Sequence, residues 1–159
     1  MQRITITLAA LALSAAAHAQ VTVKDAWVRA TVAQQKATGA FMQLNAVKDA
    51  RLLSATSPVA GVVEIHEMAM VDNVMKMRAV PGLDLPAGKA VDLKPGGYHV
   101  MLLDLKGQVK AGDTVPVTLV VEGRDGKRET IEVKAMARAL GAAAAPKDAG
   151  HGDHGTMKH

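Results

Sequence analysis

Two histidines lie between residues 20 and 150 of this 159-residue chain, His66 and His99, and both fall in one stretch, His66 to Met101. The same stretch holds Met68, Met70, Met75, Met77 and Met101, and the chain contains no cysteine. It reads HEMAMVDNVMKM and then, after a Pro/Gly-rich connection, YHVM. Imidazole and thioether without thiolate form a donor set that suits monovalent copper, because thioether sulfur is soft and imidazole binds copper well. Zinc would normally recruit cysteine or carboxylate instead.

Strands are the elements that must position these groups. Side chains two apart on a strand share a face, so His99 and Met101 project together from a strand predicted over 98–105. His66, Met68 and Met70 share a face of a strand predicted over 62–70, as do Met75 and Met77 on one over 74–80. A two-residue turn at Val71-Asp72 would set Met77 opposite His66. A turn at Asp72-Asn73 would set Met77 opposite Met68 and diagonal to His66. Cross-strand Cβ atoms lie about 4.5–5.5 Å apart, so either register lets His66, Met77, His99 and Met101 meet as a two-histidine, two-methionine site. Taken singly, a histidine on an apolar strand is usually a satisfied core or surface group, and methionine commonly packs. The set argues otherwise, since each histidine has a methionine two residues away or across a hairpin.

The remaining sequence predicts more short strands. Residues 21–32 alternate apolar and polar with a phase break near Asp25-Ala26 that reads as a bulge, and Trp27 reads as core. Residues 33–38 read as a loop and 39–47 as a strand in which Met42 packs. After a turn at Lys48-Asp49-Ala50, a strand runs from 51 and ends at Ser57-Pro58. Residues 81–90, with two prolines and two glycines, read as irregular. A short strand at Val91-Asp92-Leu93 and a turn at Lys94-Pro95-Gly96-Gly97 lead into 98–105. Strands over 114–123 and 127–136 flank a hairpin turn at Arg124-Asp125-Gly126. Eight or nine short strands without a helical period indicate an all-β, antiparallel Greek-key sandwich or barrel.

Both ends depart from that pattern. Residues 1–19 have a positive start at Arg3, an apolar run and a small-x-small close at Ala17-His18-Ala19, which reads as a signal peptide cleaved after Ala19. That predicts an exported protein, soluble after cleavage, with residues 20–138 as its one domain. Without cysteine, no disulfide supports it. Residues 139–159 read as a disordered tail, since from Gly141 onward they lack bulky apolar side chains except Met157. Its His151, His154, Met157 and His159 form a mixed cluster of the kind that supplies nitrogen donors to Cu(II); the alternative is a solvated tail with incidental metal affinity. The formal charge of +4 is spread among interleaved acids, and with one Trp, one Tyr and one Phe the chain has no basic stripe with aromatic platforms for nucleic acid. A blue-copper carrier needs a cysteine thiolate. A hydrolase needs a nucleophile–base pair or paired carboxylates. Cysteine is absent and the two histidines flanked by methionines offer neither hydrolase set cleanly, so no enzyme is expected.

The spacing His66, ten residues, Met77, twenty-one residues, His99, one residue, Met101 resembles the H-x10-M-x21-H-x-M signature of the periplasmic PCu(A)C copper chaperones. AWVRAT near the start, the PGG turn before YHVMLLDLK, and GDTVPVTLVVEG are similar to that family too, so the likeness covers residues 21 to 136. It implies a cupredoxin-like β-barrel that holds Cu(I) at an exposed site in the periplasm, as a monomer. It further implies delivery to respiratory oxidase assembly, with a copper-accepting oxidase subunit or a Sco-type assembly protein as partner. Some members carry a similar His/Met-rich extension associated with Cu(II). A copper-buffering or resistance protein without a dedicated acceptor would use the same ligands.

Overall fold

Side chains that alternate in polarity bury one face of a strand and leave the other to solvent, and several of the strands, 114–123 and 128–138 most clearly, are built this way. The computed structural model describes residues 20–139 and 141, so the expected signal segment 1–19 and the tail residues His151, His154, Met157 and His159 lie outside the described residues. Ten strands follow one another: β1 (Val21–Arg29), β2 (Ala37–Ala46), β3 (Ala50–Thr56), β4 (Ala60–Val71), β5 (Val74–Ala79), β6 (Leu83–Leu85), β7 (Ala90–Leu93), β8 (His99–Leu105), β9 (Thr114–Gly123) and β10 (Arg128–Arg138). They hydrogen-bond in the order β5-β4-β8-β2-β1-β10-β9-β3-β6, and β7 pairs with the second half of β2 on the same edge whose first half β8 occupies.

Consecutive β3 and β4 lie in opposite arms of this path, yet a tight turn joins them, with Ala60 N donating to Ser57 O. The sheet therefore doubles back on itself. Leu44, Leu52, Leu102, Leu119, Val100 and Val117 are fully buried between its layers. Met42 is core, as its place in β2 predicts.

Three local features differ from or refine the sequence reading. The segment over 81–90 is not wholly irregular: β6 pairs with β3, and Leu83 and Leu85 are buried, a three-residue strand that the flanking prolines disguise. β1 pairs in parallel with β10, Trp27 beside Met136, although the other pairings are antiparallel. The phase break in β1 is a bulge between Lys24 and Trp27, with Asp25 at φ 51°. Trp27 consequently stands half-buried on the outer face and is not a core residue.

Of the two hairpin registers open to the sequence, the chain adopts the turn at Asp72-Asn73. Both residues have positive φ, 50° and 60°, as a two-residue type I′ turn requires. Asn and Asp tolerate this left-handed region, whereas β-branched residues do not. Met68 thereby faces Met77, and Met70 faces Met75. Asn73→Val should cost this hairpin about 1–2 kcal/mol, seen as faster amide hydrogen exchange along Val74–Ala79. Asn73→Gly should leave that exchange unchanged.

Candidate metal centre

β8 pairs with β2 on one side and with β4 on the other. Its Val100 and Leu102 are fully buried, so alternation sends His99 and Met101 to the other, outer face of the sheet, where the rings and strands around it still bury His99 to 5% exposure and leave Met101 half-buried. His99 lies opposite His66, and Met101 lies opposite both Glu64 on β4 and Gly39 on β2. Directly opposed residues of antiparallel strands project from the same face. His66, Met68, Met77, His99 and Met101 therefore share one outward surface spread over β4, β5 and β8.

Met77, His99 and Met101 line one open cavity of about 310 Å³, together with Met68, Phe41 and the turn residues Pro95 and Gly96. His66 is beside this cavity and not in its wall; its ring centroid is 5.8 Å from that of His99. Three of the four sequence-predicted donors thus meet in the cavity, and the fourth is next to it. Met68, which the sequence places on the His66 face but outside the ligand set, takes the remaining place in the wall. Its signal is the turn: once Asp72-Asn73 closes the hairpin, Met68 must oppose Met77.

Hydrogen bonds decide which ring nitrogens are free. His99 Nδ1–H donates to Gly97 O at 3.1 Å, which leaves Nε2 as the lone-pair nitrogen. His66 Nε2 lies 2.6 Å from Glu64 Oε2. A carboxylate can only accept, so Nε2 carries the hydrogen and Nδ1 keeps the lone pair. That Nδ1 is buried with no hydrogen-bond partner, a condition that costs about 1–3 kcal/mol in a folded protein. Carbonyl and carboxylate partners on the second nitrogen are what metal-bound histidines commonly have. Among the described residues no three His, Asp or Glu side chains cluster closely enough to hold a metal ion. A metal on this face would depend on thioether sulfur.

Aromatic rings shelter the site on the β1–β2 side. Phe41 lies between Trp27 (centroids 4.5 Å apart) and His99 (6.1 Å). Arg29 sits over Phe41 and Arg138 over Trp27 at 5.6 and 5.4 Å. Gly39 makes room for this packing, because a Cβ there would come within 2.7 Å of the Phe41 ring. On the opposite face of the hairpin, Glu67 accepts from Arg78 and from Tyr98. Those two hydrogen bonds hold its carboxyl below the usual range, and the same bond pushes the Tyr98 hydroxyl up. The trio fastens β5 to the start of β8, so the strands that carry Met77 and His99 are tied together from behind.

The LpqE-like family model matches residues 21–136. A protein of Leifsonia xyli subsp. xyli described as a lipoprotein is 34% identical over 100 residues, 62% of this chain. The match spans 60% of that protein's length. Among solved structures, the apo PCuAC domain from PmoF1 aligns with TM-score 0.61 and 24% identity, covering 77% of this chain and 96% of that one. The CuI form of DR1885 from Deinococcus radiodurans aligns with TM-score 0.58 and 32% identity, covering 79% and 83%. The shared architecture is the cupredoxin-like β fold that the sequence leads one to expect.

Burial lowers the His99 pKa, and the Arg29 guanidinium and any proton on the neighbouring His66 ring lower it further, while the bond to Gly97 O opposes them. The neutral imidazole is the folded form. Below the ordinary value of 6.5 the unfolded chain takes up a proton that the folded chain resists, so acidification favours unfolding. The metal-free protein should lose stability as pH falls from 6.5 through the depressed folded value. Thermal melts between pH 7.5 and pH 5 should show a smaller loss in His99→Gln, roughly by the contribution of one titrating group.

Proposed function

The chain belongs to the LpqE-like family, matched over residues 21–136, and on that premise, with the outward imidazole–thioether face, we propose that it is an exported copper chaperone. Its cargo is one Cu(I). The donors are His66 through Nδ1, Met77, His99 through Nε2, and Met101. The observation that carries the reading is the cavity itself: three thioethers, those of Met68, Met77 and Met101, and an imidazole with a free nitrogen line it together, and a second free imidazole nitrogen lies buried beside it. All four donors are neutral, and soft sulfur with imidazole favours a d¹⁰ monovalent ion. The structural likeness to the CuI form of DR1885 at 32% identity supports the same cargo.

The chain's own groups do no bond-making chemistry in this role. Glu64 and Gly97 O orient the two imidazoles, the Phe41–Trp27 pair limits water on one side, and Met77, 48% exposed, leaves the cargo open to a recipient. A copper-accepting oxidase subunit or a Sco-type assembly protein is the recipient proposed, in the periplasm and from a monomer. No helix among the described residues is long and apolar enough to cross a membrane. The tail donors His151, His154, Met157 and His159 are proposed to capture Cu(II), a role resting on their chemistry as nitrogen donors; deleting residues 139–159 should then lower the number of Cu(II) ions bound.

Anaerobic Cu(I) titration against a chromogenic chelator tests the folded site. The mature chain should hold one Cu(I) in that site, and a Met77→Ala, His99→Ala double variant should bind it at least tenfold more weakly, about 1.4 kcal/mol. Equal, weak binding by both would overturn the reading. Transfer to an apo acceptor faster than release to solvent would distinguish a chaperone from a copper buffer.

A further inference from the structure

The methionines of the β4–β5 hairpin exceed what the four-donor site uses. Met68 opposes Met77 and Met70 opposes Met75, two residues further toward the turn. All four side chains therefore stand on the outward face, as a ladder of two rungs about 7 Å apart at the usual strand rise. Their pairing type brings the opposed side chains close. Val80 N donates to Ile65 O, which makes His66–Ala79 a non-hydrogen-bonded pair. By alternation, Met68–Met77 and Met70–Met75 are non-hydrogen-bonded pairs as well, the kind in which opposed side chains are closest. The outer rung is open to solvent, Met70 at 63% and Met75 at 47% exposed, whereas the packing methionine Met42 is 3% exposed.

Apolar side chains so exposed on an edge hairpin have no packing role. Thioethers on flexible three-torsion stems can turn toward a shared ion, and soft sulfur pairs suit a monovalent soft ion. We propose that Met70 and Met75 form a second, weaker Cu(I) site at the hairpin tip, through which the ion enters and leaves the main site by way of Met68 and Met77. The step is ligand exchange: one thioether–copper bond forms as another breaks, and the oxidation state does not change. This deepens the copper reading and rests on it.

The test uses the mature chain with ¹³C-labelled methionine methyl groups, titrated with Ag(I) as a redox-inert soft monovalent probe. The first equivalent should shift Met77 and Met101, and further equivalents should shift Met70 and Met75 together. A companion variant, Met70→Leu with Met75→Leu, keeps the volume and apolar character of the tip and removes its sulfur. Chelator extraction of Cu(I) from this variant should slow by about tenfold (about 1.4 kcal/mol), with equilibrium affinity unchanged. Met70 and Met75 methyls that do not move, or an unchanged extraction rate, would overturn the tip site. Unmoved Met77 and Met101 methyls at one equivalent would instead overturn the four-donor site. A tip that serves only as an apolar contact for another protein would give normal extraction in the leucine variant.

Discussion

The pairing of β8 between β2 and β4 is the constraint on which the rest depends. One face of β8 carries Val100 and Leu102 into the core, and the other carries His99 and Met101 outward. A slip of one residue would exchange the two sets. It would turn an imidazole and a thioether in among the leucines and carry valine and leucine to the donor face. The core thus enforces the site: each large side chain buried on the inner face, worth about 1.5–3 kcal/mol, also holds His99 and Met101 in position. The bond from His99 Nδ1–H to Gly97 O then selects which nitrogen the ring offers. The same turn carbonyl accepts from Met68 N at 3.2 Å, so the β8 turn and β4 are tied at the point where the cavity forms.

Much of this is legible in the amino-acid sequence. Period-two alternation locates β8, and the spacing of His66, Met77, His99 and Met101 marks the donors. The phase break at Asp25 anticipates the bulge. The parts that are not legible share a physical cause, since each depends on a choice between nearly equal local options. Val71-Asp72 and Asp72-Asn73 are both acceptable two-residue turns by length. The second wins because it places Asp and Asn at the two positive-φ positions, where the first would place a valine. That choice sets Met77 opposite Met68 and not His66. Trp27 leaves the core because a bulge reverses which face a residue takes, and the sequence marks a bulge without stating its length. β6 is hidden between prolines, where three residues are too few to establish a period. The link between Gly39 and Phe41 has no sequence signal, because a glycine's role in leaving space is visible only against the ring that fills it.

The electrostatics of the outward face act on what it can hold. Arg29 and Arg138 are stacked over Phe41 and Trp27 on one side, and the donors themselves are uncharged. A hard divalent ion needs anionic oxygen ligands to offset its dehydration, and among the described residues Glu64 is the carboxylate beside this cavity, already engaged with His66. A cation bound here gains from donor softness and not from charge neutralisation. Nearby guanidinium groups therefore penalise a divalent ion about twice as much as a monovalent one, since Coulomb energy scales with the ion's charge. Selectivity then comes from two directions at once, thioether affinity for a soft ion and electrostatic cost for a hard one. The depressed His99 pKa belongs to the same balance. The burial and positive neighbours that disfavour a proton on His99 keep its nitrogen available to an ion whose attraction to the ring does not rest on charge alone.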